Sequence, residues 1–486
     1  MSANPSVVPA VAGRLPAFKA YDVRGRMPDE LNAAMVYCIG RAYARVIRPQ
    51  GPVAVGYDIR LTSKDFALAL AAGLNAEGVA SRDIGMGGTE MVYYAAGQGG
   101  MGGGIMITAS HNPKDYNGLK MVREGSRPIS GDDGLKDIEQ ETLRLLADPA
   151  AIPVEFATDP ALHGTQDILA GYVAKVRSFI DVAALRPLKV VVNAGNGSAG
   201  PIFDAILDGV GQGGPLPLEV VRVFHEPDGN FPNGVPNPML DECQRVTAAA
   251  VREHGADLGI AWDGDFDRCF FFDERGDFIE GYYLVGLFAE QILHHHAGAT
   301  VCYDTRLTWN TIATAERAGG QALISKCGHS FIKAALRETG AIYGGEMSAH
   351  HYFRDFFCCD SGMIPWLLVL ERLCEERLAH PGKTLSSLVA DAQSAYPCSG
   401  EINFTVSDAR AALARVQAAV AEEIASGRET LVAESALDGV SREFPQWRFN
   451  LRMSNTEPVV RLNVEARGDA ALMQARTRWL QELLGA

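Results

Sequence analysis

At 486 residues the chain is too long for one ordinary hydrophobic core, and domains of about 150 residues suggest three or four of them. A hydrophobic content of 47% with 51 glycines excludes a disordered or fibrous chain. A formal net charge of -15 excludes a general nucleic-acid or anionic-membrane surface, which needs a dominant basic field, and leaves small anions that a few local arginines can hold. No apolar run reaches the roughly 18 residues that span a bilayer, and Met1 to Gly13 lacks the charged start and apolar core of a signal peptide, so a loose tail is expected. Nine cysteines without a C-x-x-C spacing point to reduced thiols in the cytoplasm.

Along the chain, residues 27 to 47 place Leu31, Met35, Cys38, Ile39, Ala42 and Val46 at helical spacing, and Val53 to Tyr57 reads as a buried strand. Ser63 is the expected N-cap of a helix over Lys64 to Gly78, and the strand Gly104 to Thr108 ends just before Ser110. This alternation defines an α/β domain over residues 14 to 157. It begins again at the strand Leu188 to Val192, continues through a helix from Ala199 and the strand Glu219 to Phe224, and reaches the strand Leu258 to Trp262, giving a second α/β domain over 158 to 277. Strands near Thr300 to Tyr303 and Gln321 to Ile324 belong to a third, over 278 to 390. In the last segment, 391 to 486, Trp447 to Arg452 and Val459 to Glu465 alternate apolar and polar residues as half-buried antiparallel strands do, and a helix over Asp469 to Leu484 follows.

Four stretches carry chemistry. In Thr108-Ala-Ser110-His111-Asn-Pro-Lys114-Asp-Tyr-Asn-Gly-Leu-Lys120, a strand delivers a serine to its carboxyl end, where α/β folds place ligands. Pro113 and Asn117-Gly118 favour an ordered, exposed loop, and His111, Lys114 and Lys120 are near enough to activate a hydroxyl. In Trp262-Asp263-Gly264-Asp265-Phe-Asp267-Arg268, three carboxylates follow another strand. Alternate residues of an extended strand are about 6.6 Å apart, too far to share an ion, so the segment must curl at Gly264. Three clustered carboxylates repel unless a hard cation sits among them, and Mg²⁺ suits oxygen ligands.

An EF-hand is excluded, since Arg268 stands where that loop needs glycine and the flanks look like strands. Arg452-Met-Ser454-Asn455-Thr456-Glu-Pro458 joins the two C-terminal strands and offers a guanidinium, hydroxyls and loop amides to an anion. The fourth stretch, Lys326-Cys-Gly328-His329-Ser330 with Gly345-Glu346-Met347-Ser348-Ala349-His350, can donate to and accept from vicinal sugar hydroxyls.

Together these stretches resemble the α-D-phosphohexomutase superfamily, most closely its bacterial phosphomannomutase/phosphoglucomutase branch, from Phe18-Lys-Ala-Tyr21-Asp-Val-Arg24-Gly25 to Arg461. The resemblance implies three α/β domains with mixed sheets and a smaller C-terminal α+β domain around a central cleft. It implies that Ser110 carries a phosphoryl group, that Asp263, Asp265 and Asp267 bind Mg²⁺ with it, and that Arg24, His111, Lys120, Arg268, His329 and His350 are catalytic. It assigns the substrate to Tyr21, Lys326, Gly328, Glu346, Ser348, Arg452, Ser454, Asn455, Thr456 and Arg461. The implied reaction interconverts hexose 6-phosphate and hexose 1-phosphate of mannose and glucose, primed by glucose 1,6-bisphosphate or an equivalent. Small hexose phosphates are the partners expected, with no nucleic acid or membrane, for a monomer or weak oligomer. Two departures stand out: Ala349 where glycine is common, and Gly234-Val235 where the family often has histidine.

The rival from another class is a nicotinamide-dependent oxidoreductase. Gly195-Asn-Gly197-Ser-Ala-Gly200 matches G-x-G-x-x-G between a strand and a helix, with Glu219 and Glu226 beyond. His294-His295-His296, at a helix end, reads as a solvated run.

Overall fold

The computed structural model describes residues 13–131, 133–453 and 459–485. The chain forms two compact units, one running to Phe278 and taking in Tyr352–Gly382, the other comprising Ile279–His351 and Lys383–Ala486.

In the first unit a six-stranded mixed sheet has the order Val23–Arg26, Tyr116–Arg123, Gly103–Ile107, Val53–Tyr57, Ser81–Met86, His163–Thr165. The three strands Gly103–Ile107, Val53–Tyr57 and Ser81–Met86 are parallel, so their carboxyl ends share one edge. Helices Ala33–Ile47 and Ser63–Ala76 cover the sheet with an apolar layer that includes Met35, Ile39, Phe66, Leu70 and Leu74. The first helix starts six residues later than its periodicity begins, because the Asn32 side chain accepts from the Met35 N–H and caps it there. Ser63 lies inside the second helix instead of capping it, and its hydroxyl donates to Asp58 Oδ1 at 2.6 Å.

A second mixed sheet of this unit runs Cys269–Phe272, Leu258–Trp262, Leu188–Asn193, Leu218–Val223. The strands flanking the aspartate loop are antiparallel neighbours, Cys269 opposite Trp262, which excludes the helix–loop–helix of an EF-hand. The glycine-rich turn after Leu188–Asn193 is filled by its own chain. A Cβ at Gly195 would meet Pro236 Cβ at 2.3 Å, one at Gly197 the carbonyl of Gly264 at 3.0 Å, and one at Gly200 the carbonyl of His225 at 2.1 Å. Close packing of the chain on itself accounts for those glycines.

In the second unit Thr300–Asp304 lies parallel to both Gln321–Ser325 and Tyr343–Gly345. The C-terminal sheet is antiparallel throughout, in the order Ile402–Thr405, Val459–Ala466, Trp447–Met453, Val440–Glu443, Ala433–Ser435. One face is buried by helices Ala409–Ala425 and Ala470–Leu484 through Phe449, Leu451, Leu462, Val416 and Leu480. The last helix is capped by the Asp469 side chain, which accepts from Leu472 N. Among the described residues, no helix is long and apolar enough to cross a membrane.

Candidate active site

The first unit brings the serine loop onto the aspartate loop. Ser110 stands one turn past Gly103–Ile107, and its hydroxyl donates to Asp263 Oδ2 at 2.7 Å. The residue is 3% exposed, so the exposed loop expected from sequence is exposed only over Pro113 to Asp115. Ser110 has φ +48°, a left-handed conformation that a residue with a Cβ adopts at a cost of about 1–3 kcal/mol. Three contacts impose it. Thr108 Oγ1 accepts from the Ser110 N–H at 2.9 Å. Gly264 lies so close that a Cβ there would sit 2.5 Å from the Ser110 carbonyl oxygen. Buried Arg60 donates to the carbonyls of Ser110, Asn112, Pro113 and Tyr116 at 2.6–2.9 Å, clamping the whole turn.

The loop after Leu258–Trp262 does curl, and oxygen atoms of Asp263, Asp265 and Asp267 converge to within 4.8 Å of one another. Oδ1 of Asp263 and Oδ1 of Asp265 are buried without a hydrogen-bond donor among the described residues. A set of anionic oxygens with lone pairs left unused fits a hard cation. Lys120 Nζ donates to Asp265 Oδ2 at 2.7 Å and to Asp267 Oδ2 at 2.5 Å, and Arg268 donates to Asp263 Oδ2 from Nε and Nη2. Burial works against the charge of Asp263, yet Arg268 above all, with Lys120, holds its carboxyl well below the usual range. Asp267 goes the other way, pushed well up by burial and by Asp265.

His111 accepts from Arg268 Nη2 at 2.6 Å through Nδ1, which is also 3.0 Å from Ser110 Oγ. Desolvation and the adjacent Arg268 push its pKa down to about 4, so the imidazole is neutral at pH 7. Arg24 donates to Asn112 Oδ1 at 2.7 Å and Asp22 Oδ2 at 2.6 Å, at the foot of the serine loop. Tyr21 is half-buried three residues earlier. Lys114 is exposed, and Lys120 serves the aspartates rather than the serine, so of the three basic groups expected to activate Ser110 only His111 lies beside its hydroxyl.

Thr89 escaped the sequence reading. It opens helix Thr89–Gly97, and its hydroxyl donates to Asp265 Oδ2 at 2.5 Å. Arg60 escaped it as well, since nothing in Asp58-Ile-Arg60 announces a clamp on a loop fifty residues on.

The second unit gathers the remaining residues in its own cluster. Glu346 is buried, and its Oε1 accepts from Gly328 N at 2.8 Å and from Arg306 Nη2 at 3.4 Å. Arg306 also donates to Ser348 Oγ at 3.3 Å and holds Asp304 from Nε and Nη2. His350 Nδ1 lies 3.2 Å from Ser348 Oγ and 3.7 Å from Glu346 Oε2. His329 opens helix His329–Thr339, one turn before Lys333, whose Nζ is 3.5 Å from its Nδ1. Lys326 is exposed and lies over the Phe331 ring. Arg452 and Arg461 both reach Glu401, at 2.7 and 3.4 Å. Ser454, Asn455 and Thr456 lie outside the described residues. Ala349, the departure noted in the sugar-type loop, has φ +69°, the conformation for which glycine is suited. Neither Arg306 nor Glu401 carries a local motif, and a cluster of charges drawn from four segments could not be read in advance.

A serine bonded to one of three clustered, buried aspartates, with a lysine and an arginine compensating them, belongs to the chemistry of phosphoryl transfer. Models of the phosphoglucomutase/phosphomannomutase family match the chain as α/β/α domain I over residues 16–146, domain II over 170–276, domain III over 280–396 and the C-terminal domain over 401–480. The chain is 53% identical over 474 residues to a phosphomannomutase of Salmonella typhimurium, covering 97% of this chain and 99% of that one. It is 54% identical over 470 residues to a protein named phosphohexose mutases from Xanthomonas campestris pv. campestris, with 97% and 99% covered. A crystal structure of a phosphoglucomutase/phosphomannomutase family protein from Burkholderia thailandensis matches with a TM-score of 0.79 at 32% identity, covering 98% of both chains. The chain belongs to the phosphoglucomutase/phosphomannomutase family, a phosphohexomutase and not a nicotinamide-dependent oxidoreductase.

Proposed function

We propose that the enzyme interconverts hexose 6-phosphates and hexose 1-phosphates of mannose and glucose, with Ser110 as the phosphoryl carrier. The observation that carries this reading is the 2.7 Å hydrogen bond from Ser110 Oγ to Asp263, beside buried carboxylate oxygens that have no donor among the described residues. The P–O bond of phosphoserine breaks as one forms to the free 1- or 6-hydroxyl of the bound sugar phosphate, whose proton passes to a basic group. The resulting 1,6-bisphosphate reverses its ends, and the other phosphoryl returns to Ser110 Oγ. Glucose 1,6-bisphosphate or an equivalent primes the cycle.

Asp263, Asp265 and Asp267 would hold Mg²⁺, which when bound supplies positive charge for the phosphoryl oxygens. Lys120 is kept protonated by Asp265 and Asp267 although burial opposes it, which suits a fixed charge better than a base. Neutral His111 leaves the Ser110 oxygen positioned without adding a second cation beside Arg268. In the second unit, Glu346 and Ser348 offer a carboxylate and a hydroxyl to sugar hydroxyls, Gly328 presents its amide to the same carboxylate, and Arg452 and Arg461 supply guanidinium donors for the phosphate that is not reacting. Tyr21, Arg24, Lys326, His329, His350, Ser454, Asn455 and Thr456 complete the set by resemblance.

The test is a coupled assay on mannose 1-phosphate and glucose 1-phosphate under one priming condition. These sugars differ only at carbon 2, and a site that reads the 3- and 4-hydroxyls should keep kcat/KM for the two within about a hundredfold. Turnover of neither substrate by primed, magnesium-loaded enzyme would reject the proposal.

A further inference from the structure

Arg452 and Arg461 stand directly opposite one another on the antiparallel strands Trp447–Met453 and Val459–Ala466. Like charges in that position repel. The counter-ion comes from elsewhere, just ahead of the edge strand Ile402–Thr405. Glu401 Oε2 accepts from Arg452 Nη2 at 2.7 Å and from Arg306 Nη1 at 3.4 Å, and its Oε1 accepts from Arg461 Nη1 at 3.4 Å. The carboxylate is 9% exposed. Burial alone would neutralise it, but Arg306, Arg452 and Arg461 together hold its pKa below the ordinary value.

One carboxylate does not exhaust these donors. Nε of Arg452 and Nε of Arg461 are both buried and have no acceptor among the described residues. Arg452 and Arg461 thus share one close carboxylate, with Asp438 Oδ2 3.8 Å from Arg452 Nη1 and with Asp304 and Glu346 bonded to Arg306, and they still have hydrogen-bonding capacity unspent, the setting in which a dianion with three terminal oxygens would bind better.

We infer that Glu401 is an internal surrogate for the substrate's non-reacting phosphate, occupying the donors of Arg452 and Arg461 in the substrate-free chain and giving them up when phosphate arrives. This rests on the phosphate-holding role given above to those two arginines. Displacement leaves no buried charge unpaired, because Glu401 keeps Arg306, which Asp304 holds in place from two nitrogens. Binding then exchanges one anion for another, and the net affinity is the difference between them. A reaction that must release a bisphosphate and take it up reversed has a use for a phosphate site weakened in this way.

A scaffold role makes the opposite prediction, since a carboxylate that merely aligns the arginines would, once removed, leave them repelling and the phosphate more weakly held. The experiment is calorimetric titration of glucose 1-phosphate into Ser110→Ala, Ser110→Ala/Glu401→Gln and Ser110→Ala/Arg452→Ala proteins, with folding checked by circular dichroism. The surrogate role predicts that Glu401→Gln tightens binding on the order of tenfold, the scale of one charge-assisted hydrogen bond no longer in competition. In the Ser110 background it also predicts a lower KM for both the 1- and 6-phosphates. Equal or weaker binding by folded Glu401→Gln overturns it. If that variant does not fold, Glu401→Asp is read by the same criterion, because it retracts the charge by one methylene and should tighten binding by a smaller factor. Weaker binding by Arg452→Ala without tightening by the Glu401 variant sinks only the surrogate role. No effect of Arg452→Ala would overturn the phosphate-site reading on which it stands.

Discussion

The two units solve opposite electrostatic problems. In the first, three carboxylates are crowded into a buried loop, two basic side chains answer part of the charge, and oxygens of Asp263 and Asp265 are left without donors among the described residues. In the second, Arg306, Arg452 and Arg461 converge on Glu401, and it is guanidinium nitrogens that are left over. One cluster keeps carboxylate oxygens unspent and suits a cation; the other keeps guanidinium donors unspent and suits an anion. The contrast teaches where a ligand is to be sought, at buried charged groups whose hydrogen-bonding capacity is unspent among the described residues.

The largest effect that could break this comparison is at the carboxylate end. Asp265→Asn removes an anionic ligand while keeping the shape and leaves Thr89 and Lys120 with a neutral partner. Mg²⁺ affinity should fall by about a hundredfold, with kcat falling at subsaturating metal. Calorimetric titration of Mg²⁺ or Mn²⁺ checks this independently of turnover, and unchanged metal affinity would mean that the aspartates serve Lys120 and Arg268 alone.

At the arginine end, Arg452→Ala should raise KM for both 1- and 6-phosphosugars by about tenfold, since the non-reacting phosphate must be held in either orientation. An increase for one substrate only would tie the residue to a particular end of the sugar and blunt the comparison. The smallest effect concerns the loop between Glu346 and His350. Ala349 is buried at φ +69°, so Ala349→Gly should stabilise the protein by up to about 1 kcal/mol through relief of backbone strain, offset in part by the freer unfolded chain. A lower melting temperature would show that packing of the Ala349 Cβ outweighs the strain.

Much of this was legible because local rules agree with the fold. The strands Val53–Tyr57 and Leu258–Trp262 fall where their apolar runs place them, and the C-terminal strands keep the alternation read from Trp447 and Val459 onward. The serine and the aspartates were legible as motifs because each follows a strand and breaks it. What escaped comes from far along the chain. Arg60 clamps a loop fifty residues away, Thr89 reaches an aspartate 176 residues away, and Glu401 meets arginines from three other segments. Burial of Ser110 was missed for the same reason, since Gly264 and Arg60 roof the loop and neither is its neighbour in sequence. The glycines at 195, 197 and 200 were ambiguous until Pro236, Gly264 and His225 were seen to pack against them where a side chain would stand.

The central claim is that Ser110 carries the phosphoryl group, and its most direct test is site-resolved mass spectrometry of the protein after incubation with glucose 1,6-bisphosphate and Mg²⁺. The account predicts one added phosphoryl, located on Ser110, lost on addition of excess hexose monophosphate and absent from Ser110→Ala, whose turnover should fall by a factor of about 10⁴ or more. A phosphoryl on another residue, or a Ser110→Ala protein that turns over like the wild type, would contradict it.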